Sequence, residues 1–445
     1  MLPALARALE KVNIFLLSFI VATILGAQSF AQFSIMFAYA LICFSLIELG
    51  GQQLYTFLNK NELTITPFSF NLLKSCVFVF VFIGALLTDY PLLTGILTLS
   101  YYFESLSNSY RFALFHEKMH QVEAKNYLAE RLITFVFIGI LYFDSIFFGK
   151  IEFSLLFIYV YLCVIKLIFL LINKKALSKN YPFSKEKISK EFCIYFMKHG
   201  KYFIISAFVA ALFMQVDIFL FNWLNAPNDE IALISAMLRL ITATYFIATV
   251  FQQFILPRFN LIIQDTVLFE LYERYMKYFA FFITLTLILL SELFITLFFG
   301  NLSMSSLLSD SKAIVILILV YSRFCREPVS LYLGQKGQNK LKIKIFSLIL
   351  PLKILAVAIA YKMFGFSLAI LVLVIADITV YLSFRALTMF KLIEFSYILG
   401  LFILTCSSYL VVHLALPVQL ALALVTIILS FYYFTKVTKP GVLFK

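Results

Sequence analysis

The feature that most constrains this chain is a succession of apolar runs, separated by short breaks of charged or turn-forming residues. Each run is about 20 residues long, the length that a helix needs to cross roughly 30 Å of hydrocarbon. Lipid offers no hydrogen-bond partners to the backbone, so the spans must be helices or a closed barrel. The run 277–299 is apolar on all sides and lacks the polar alternation of a barrel strand. We therefore predict an all-α integral membrane protein.

The composition supports the same class of protein. Of the 445 residues, 63% are hydrophobic and 13% are charged, whereas a soluble domain carries about 25% charged residues. The net charge of +13 falls in short loops between the spans, where it indicates topology rather than nucleic acid binding. The six cysteines have no CxxC spacing, and the four histidines are scattered. We predict no cofactor, no metal site and no nucleic acid partner.

Turn residues and charges divide the apolar sequence into about fourteen predicted transmembrane helices, for example at Asp89-Tyr90-Pro91 and at Gly149-Lys150. Their approximate limits are 11–28, 31–49, 70–88, 91–109, 128–148, 151–172, 201–223, 231–256, 277–299, 312–333, 342–361, 364–384, 395–414 and 418–435.

The distribution of lysine and arginine predicts which loops face the cytoplasm, because these residues accumulate on that side. With residue 1 inside and strict alternation, the outer loops hold Lys150, Lys312 and Lys362, while most of the 36 basic residues fall inside. Both termini are therefore predicted to be cytoplasmic. The outer loops are also too short for the catalytic domain of a membrane glycosyltransferase, polymerase or ligase. Since Walker, HExxH and nucleophile-elbow motifs are absent from the sequence, we predict that the protein is not an enzyme.

A long basic linker, residues 173–200, divides six predicted spans from eight. Two short similarities relate the two parts: Gln52-Gln53 corresponds to Gln252-Gln253, and Lys118 corresponds to Lys336. Two related bundles would suit a transporter that binds its substrate between repeated halves. The predicted divisions are a six-helix bundle in 1–172, the cytoplasmic linker 173–200, a pseudo-symmetric six-helix bundle in 201–386, and two extra helices with a cytoplasmic tail in 387–445.

Several ionisable residues fall inside the predicted spans, where each costs about 2.5–3.5 kcal/mol and normally faces a cavity or a partner. Because cations predominate at mid-membrane, we predict a cationic cavity that binds an anion such as a phosphate through arginine. Neutralisation of Arg326 by Glu327 is the alternative that is left open for those two residues. The cationic candidates are Arg239, Arg323, Arg326, Lys353 and Lys74. The polar candidates are Gln52, Gln53, Gln252 and Gln253, and those for ion coupling are Asp217, Asp377 and Glu48.

The stretch "ILGAQSFAQFSIMFAYALICFSLIELGGQQ" resembles the first hairpin of the polysaccharide-unit flippases of the MOP superfamily, the O-antigen type. Leu25-Gly26, Phe30 with Phe33, and Leu49-Gly50 match the family's pattern, whereas Ala31 stands where the family often has glycine. A second similarity lies in "QVDIFLFNWLNAPNDEIALISAMLRL".

In that second stretch, Asp217 takes the place of the family's intramembrane aspartate, and Arg239 takes the place of its basic residue. Pro257 matches the proline at the end of the eighth span, but the glycine expected before that span is replaced by the segment Glu230-Ile231-Ala232. The resemblance extends over the whole chain in span count, topology and linker position.

This resemblance implies a flippase in a bacterial inner membrane that moves a polyprenyl diphosphate-linked oligosaccharide from the inner to the outer leaflet by alternating access. The implied partners are membrane lipids, H⁺ or Na⁺ as coupling ion, and the polymerase and chain-length proteins of O-antigen or other surface polysaccharide synthesis. The main alternative is a cation-coupled exporter of drugs or other organic cations, which has the same fold. A membrane enzyme is disfavoured by the short outer loops, and a scaffold would not need mid-membrane charges.

Overall fold

The computed structural model describes residues 2–51, 67–116, 119–147, 154–178, 200–255, 265–299, 313–336, 338–387, 395–411 and 413–432. Within these residues the secondary structure is helical, as predicted, and a 3₁₀ turn at Ala313–Leu317 leads into α10. The fourteen described α-helices are α1 Leu2–Ile47, α2 Pro67–Leu86, α3 Pro91–His116, α4 His120–Phe147, α5 Leu155–Ser178, α6 Lys201–Trp223, α7 Asn228–Ile255, α8 Thr266–Leu289, α9 Ser291–Phe299, α10 Ile318–Gln335, α11 Asn339–Phe364, α12 Phe366–Leu387, α13 Phe395–Val411 and α14 Leu416–Tyr432.

Helix α1 contains the first two predicted spans, joined at Gly26. Its 46 residues would be about 70 Å long as one straight helix, more than twice the thickness of the hydrocarbon layer. Gly26 has φ 80° and ψ 175°, a conformation that breaks the helix and that residues with a Cβ rarely adopt. The break therefore lies at Gly26, a few residues before the predicted break at 28–31, because glycine supplies the backbone freedom that the turn needs.

Helices α8 and α9 together form one predicted span, broken at Leu290 and bent by 56°. Helix α14 contacts this break through the side chain of Gln419, which is fully buried. The Nε2 atom of Gln419 donates to Glu292 Oε2 at 2.7 Å and to the carbonyl of Leu414 at 2.9 Å. The two C-terminal helices are therefore an integral part of the packing around the broken span.

Six of the described helices, α1, α2, α5, α6, α11 and α12, are long and apolar enough to cross a membrane, and the bent α8–α9 pair is a seventh candidate. Helices α13 and α14 are apolar but shorter. Helices α3, α4, α7 and α10 carry charged residues in their interiors, such as Glu104, Arg131, Arg239 and Arg323, and these lower their hydropathy. The protein is a multi-pass membrane protein with charged side chains on both its apolar and its less apolar helices.

The chain divides into two compact units, Met1–Asn222 and Trp223–Lys445. In the first unit, α3 packs against α5 and α2, and α1 packs against α4. One apolar cluster of this unit is built around Leu49, Phe70 and Leu114, and Phe203 at the start of α6 packs against it. Most of the basic linker lies outside the described residues, so the predicted bundle boundaries and the internal repeat stay predictions.

In the second unit, α12 packs against α10 and α11, and α8 packs against α10, α13 and α14. Three buried tyrosines join these helices: the rings of Tyr321 and Tyr397 stack with centroids 5.2 Å apart, and Tyr381 lies 4.5 Å from Tyr397. Helix α13 approaches this cluster so closely that a Cβ on Gly400 would lie 2.6 Å from the Tyr321 hydroxyl. Glycine at this position is therefore a packing requirement.

Candidate functional site

The centre of the second unit contains two arginines that share one aspartate. Arg323 and Arg326 lie three residues apart on α10, so their side chains point to the same side of the helix. Asp377 on α12 accepts a hydrogen bond from Arg323 Nε at 2.9 Å and another from Arg326 Nη1 at 2.6 Å. Side-chain exposure is at most 9% for all three residues. The structure thus brings together three of the predicted site residues, although Asp377 lies 54 positions after Arg323 and 51 positions after Arg326 in the sequence.

One aspartate cannot neutralise both arginines, so the trio keeps one net positive charge. Arg323 Nη2 is buried and has no hydrogen-bond partner among the described residues. Lys353 on α11 is buried and lies close enough to Asp377 for their charges to attract. A buried guanidinium with an unused N–H donor beside a buried ammonium group is suited to a small anion or a phosphate oxygen.

Glu327, next to Arg326 on α10, accepts a hydrogen bond from the hydroxyl of Tyr245 on α7. Lys342 on α11 lies within electrostatic range of Glu327. The sequence left open whether Glu327 neutralises Arg326. In the structure Arg326 donates a hydrogen bond to Asp377, because α12 brings this carboxylate to the face that Arg323 and Arg326 share.

Two further predicted residues are buried in mid-helix. Arg239 on α7 is 4% exposed, and it lies six residues before Tyr245, which contacts α10. Asp217 on α6 is 1% exposed and belongs to the first unit. Gln52 and Gln53 lie outside the described residues. The described part of α7 includes Gln252-Gln253, but not their side chains, so the predicted glutamine pairs stay untested.

A second buried cluster of this unit surrounds Glu273 on α8. Its Oε1 lies 3.1 Å from Arg385 Nη1 and 3.4 Å from Lys277 Nζ, so both contacts are ion pairs. Arg385 Nη1 also donates to the Tyr381 hydroxyl at 2.9 Å. Two cations thus lie within 3.4 Å of one carboxylate oxygen in this cluster.

In the first unit, Lys74 and Glu48 pair with each other. Lys74 is fully buried, its Nζ lies 3.1 Å from Glu48 Oε2, and it donates to the carbonyl of Ser105 at 2.7 Å. The Ser105 hydroxyl donates to Glu48 at 2.5 Å, and Asn108 Nδ2 donates to the other carboxylate oxygen at 3.4 Å. Both residues were predicted as functional, Lys74 for substrate binding and Glu48 for ion coupling, and here they form one neutral pair.

Asn108 connects this pair to a larger network that the sequence did not predict. Arg111 Nη1 donates to Asn108 Oδ1 at 2.9 Å, and its Nη2 donates to Glu123 at 2.7 Å. The Arg111 guanidinium lies 3.5 Å from the centre of the Tyr127 ring, and the Tyr127 hydroxyl donates to Glu10. The network therefore joins α3, α4 and the first half of α1.

The network continues through Arg131 and Lys166 into α5. Arg131 Nη2 donates to Glu104 at 2.7 Å, and Lys166 Nζ lies 3.0 Å from Glu104 and 2.6 Å from Glu130. Glu104, Arg131 and Lys166 all fall within predicted spans, but the sequence does not predict that they contact one another. Glu130 and Arg131 inside the predicted span 128–148, with Glu123 on the same side of a helix as Glu130, were the signal that could have found this network.

The two units differ in the balance of their buried charges. In the described part of the first unit the buried cations equal the buried carboxylates, three against three: Lys74, Arg131, Lys166, Glu123, Glu130 and Asp217. In the described part of the second unit six buried cations face two buried carboxylates: Arg239, Lys277, Arg323, Arg326, Lys353, Arg385, Glu273 and Asp377. Among the described residues, the second unit is thus the one whose buried cations outnumber its buried carboxylates.

Comparisons with known proteins connect this architecture to transporters. No protein-family model and no curated protein matches the sequence. The structure is similar to the inward-facing conformation of a multidrug resistance MATE family transporter of the MOP superfamily, with a TM-score of 0.61 and 12% identity over 89% of this chain and 95% of that chain.

Two further solved structures share the fold. One is a MOP superfamily transporter from Pyrococcus furiosus Vc1 (DSM3638), for which reverse polarity of the binding pocket suggests a different function; the TM-score is 0.56, with 11% identity over 91% of this chain and 95% of that chain. The other is a MATE protein in complex with MaL6, with a TM-score of 0.51 and 10% identity over 91% and 96% of the two chains. The chain therefore has the fold of the MOP superfamily transporters.

Proposed function

We propose that this protein is a flippase for a lipid-linked oligosaccharide, carried on a polyprenyl diphosphate, and that it moves this substrate from the inner to the outer leaflet by alternating access. The observation that carries the proposal is the excess of buried cations in the second unit, six against two carboxylates within its described residues. An organic cation would be repelled by such an interior, whereas a diphosphate would be attracted to it. The polysaccharide made from the oligosaccharide would be O-antigen or another surface glycan.

The site proposed for the diphosphate consists of Arg323 and Arg326 with Lys353, and Arg239 is proposed to join it from α7. An arginine fork can give a phosphate two parallel hydrogen bonds, and Arg323 has an unused buried Nη2 atom that could give one. A neutral ligand would not offset the free-energy cost of keeping these cations inside the membrane. The anion is therefore the ligand that accounts for their presence.

The rest of the proposal concerns the surroundings of the transporter. We place it in a bacterial inner membrane with both termini in the cytoplasm, beside the polymerase and chain-length proteins of the same glycan. Coupling to H⁺ or Na⁺ is proposed to involve Asp217, Asp377 or Glu48, which are carboxylates within the helices. Glycosyltransferase and sugar-nucleotide genes next to this one would agree with this assignment.

The test is substitution of Arg239 in cells that depend on this protein for glycan export. Arg239→Ala should lower export at least tenfold while the protein still inserts, because tenfold corresponds to about 1.4 kcal/mol and a charge-assisted hydrogen bond contributes about 1.5–3 kcal/mol. The matched control is Lys362→Ala, which removes an exposed cation at the end of α11. Full export by the Arg239→Ala variant would refute the proposed site.

The second candidate, a cation-coupled exporter of organic cations, is favoured by the fold shared with a multidrug resistance MATE family transporter. It predicts that expression of the wild-type protein raises cellular resistance to ethidium and similar cations. It also predicts that Asp217→Asn abolishes this resistance, since a carboxylate would be needed to bind or exchange the cation. Resistance without any defect in glycan export on gene deletion would favour the exporter over the flippase.

A further inference from the structure

We propose that Asp377 is an internal substitute for the phosphate of the substrate, which occupies the two arginines of α10 until the substrate displaces it. The proposal rests on the proposed function and adds to it a residue that determines how tightly the anion is held. It gives Asp377 a role other than ion coupling, since its carboxylate would exchange partners without carrying an ion across the membrane.

The geometry of the trio is the first support. The carboxylate of Asp377 accepts a hydrogen bond from Arg323 Nε at 2.9 Å and another from Arg326 Nη1 at 2.6 Å, so each of its oxygens is bound by a different arginine. Two phosphate oxygens would be bound in the same way, because carboxylate and phosphate offer similar acceptor spacing to an arginine fork. The carboxylate therefore occupies the position in which an anionic substrate would be recognised.

The charge of the trio is the second support. With Asp377 in place the two arginines keep one net positive charge, and Arg323 Nη2 keeps an unused donor. A diphosphate carries more negative charge and more acceptor oxygens than one carboxylate, so it can replace Asp377 on both arginines. Once the diphosphate leaves, Asp377 returns and prevents two buried guanidiniums from facing each other without a counter-ion.

The burial of the trio is the third support. Arg323, Arg326 and Asp377 are all nearly inaccessible to solvent, and α10 packs directly against α12. For an anion to take the place of Asp377 on the arginines, the contact between α10 and α12 has to loosen. A bound carboxylate stabilises this closed arrangement when substrate is absent, which links the occupancy of the site to the packing of the helices.

The first experiment measures binding of inorganic pyrophosphate to the purified full chain in detergent by isothermal titration calorimetry. Asp377→Asn should bind pyrophosphate about tenfold tighter than the wild type, because the anion no longer displaces a charged competitor. Arg323→Gln should reduce binding at least tenfold. The control is Asp265→Asn, a change at the exposed N-cap of α8, where asparagine caps as well as aspartate and binding should stay unchanged.

A second pair of variants covers the case in which Asp377→Asn does not fold. In Arg326→Gln, Asp377 neutralises the remaining arginine, and pyrophosphate binding should fall at least tenfold. In the double variant Arg326→Gln/Asp377→Asn, one positive and one negative charge are removed together, so the net charge of the trio is again that of the wild type. This double variant should recover binding to within about threefold of wild type or exceed it.

The outcomes separate this inference from the function on which it rests. If the wild type binds pyrophosphate but Asp377→Asn binds it equally or more weakly, and the double variant does not recover binding, the substitute role of Asp377 is refuted while the anion site stands. If neither the wild type nor any variant binds pyrophosphate, the diphosphate site is itself refuted and the inference falls with it. Tighter binding by Asp377→Asn, or recovery in the double variant, supports the inference.

Discussion

The ammonium group of Lys166 stands between two carboxylates in the interior of the first unit, 3.0 Å from Glu104 and 2.6 Å from Glu130. At these separations Coulomb's law with an effective dielectric of about 20 gives roughly 6 kcal/mol for each attraction. Most of this is offset by the cost of removing the charges from water, and deleting one member of a buried ion pair costs about 3–5 kcal/mol net. Lys166→Met should therefore destabilise the first unit by about 3–5 kcal/mol.

For a unit of this size, 1 kcal/mol shifts the unfolding temperature by roughly 2–4 °C, so Lys166→Met should lower it by roughly 6–20 °C. The assay is thermal unfolding of the detergent-solubilised protein, followed by the fluorescence of a thiol-reactive dye. The control is Lys174→Met, the same change at an exposed position of α5, which should shift the transition by no more than about 2 °C.

A double variant distinguishes lost charge balance from lost packing. In Lys166→Met/Glu130→Gln one charge of each sign is removed, and the contact between Arg131 and Glu104 at 2.7 Å is retained. It should recover more than half of the stability that Lys166→Met loses. The reasoning is refuted if Lys166→Met unfolds within about 3 °C of the wild type, or if the double variant is no more stable than the single one.

Two further substitutions test the second unit in the same thermal assay. Tyr245→Phe removes the hydrogen bond to the Glu327 carboxylate and should cost about 1.5–3 kcal/mol, seen as a fall of roughly 3–12 °C; an unchanged midpoint would mean that the contact contributes nothing. Gly400→Ala would place a methyl group 2.6 Å from the Tyr321 hydroxyl and should cost about 1–3 kcal/mol. The control is Gly139→Ala in α4, where the added methyl group meets open space and the change should be neutral or stabilising. Equal effects of the two alanines would contradict the close approach of α13.

The fold was largely predictable because unpaired backbone groups and charges are costly in lipid, so membrane-spanning helices appear in the sequence as long apolar runs. The limits of the apolar runs predicted most helix limits to within several residues, although α8 begins at Thr266 and not near 277. The depth of Arg323 and Asp377 predicted that they need partners. The division of α8 from α9 was not predicted, since the broken span remains apolar through Leu290.

The pairing of the charges could not be read from the sequence. Depth follows from position within a span, but the identity of a partner depends on which helices pack together and on how each is rotated. Lys74 and Glu48 are 26 residues apart, and Tyr127 and Glu10 are 117 apart. Such contacts are set by tertiary packing, so the position of Lys74 within its span could not identify Glu48 as its partner.

The contact between Gln419 and Glu292 also has a consequence for biosynthesis. These residues are 127 positions apart, so at about 5–20 residues per second the ribosome needs roughly 6–25 s to deliver the glutamine after the glutamate. Throughout that interval the end of the broken span is in place without the helix that secures it. The second unit can reach its final packing only after α14 has been made, so a ribosome that stalls before α14 leaves the broken span without this contact.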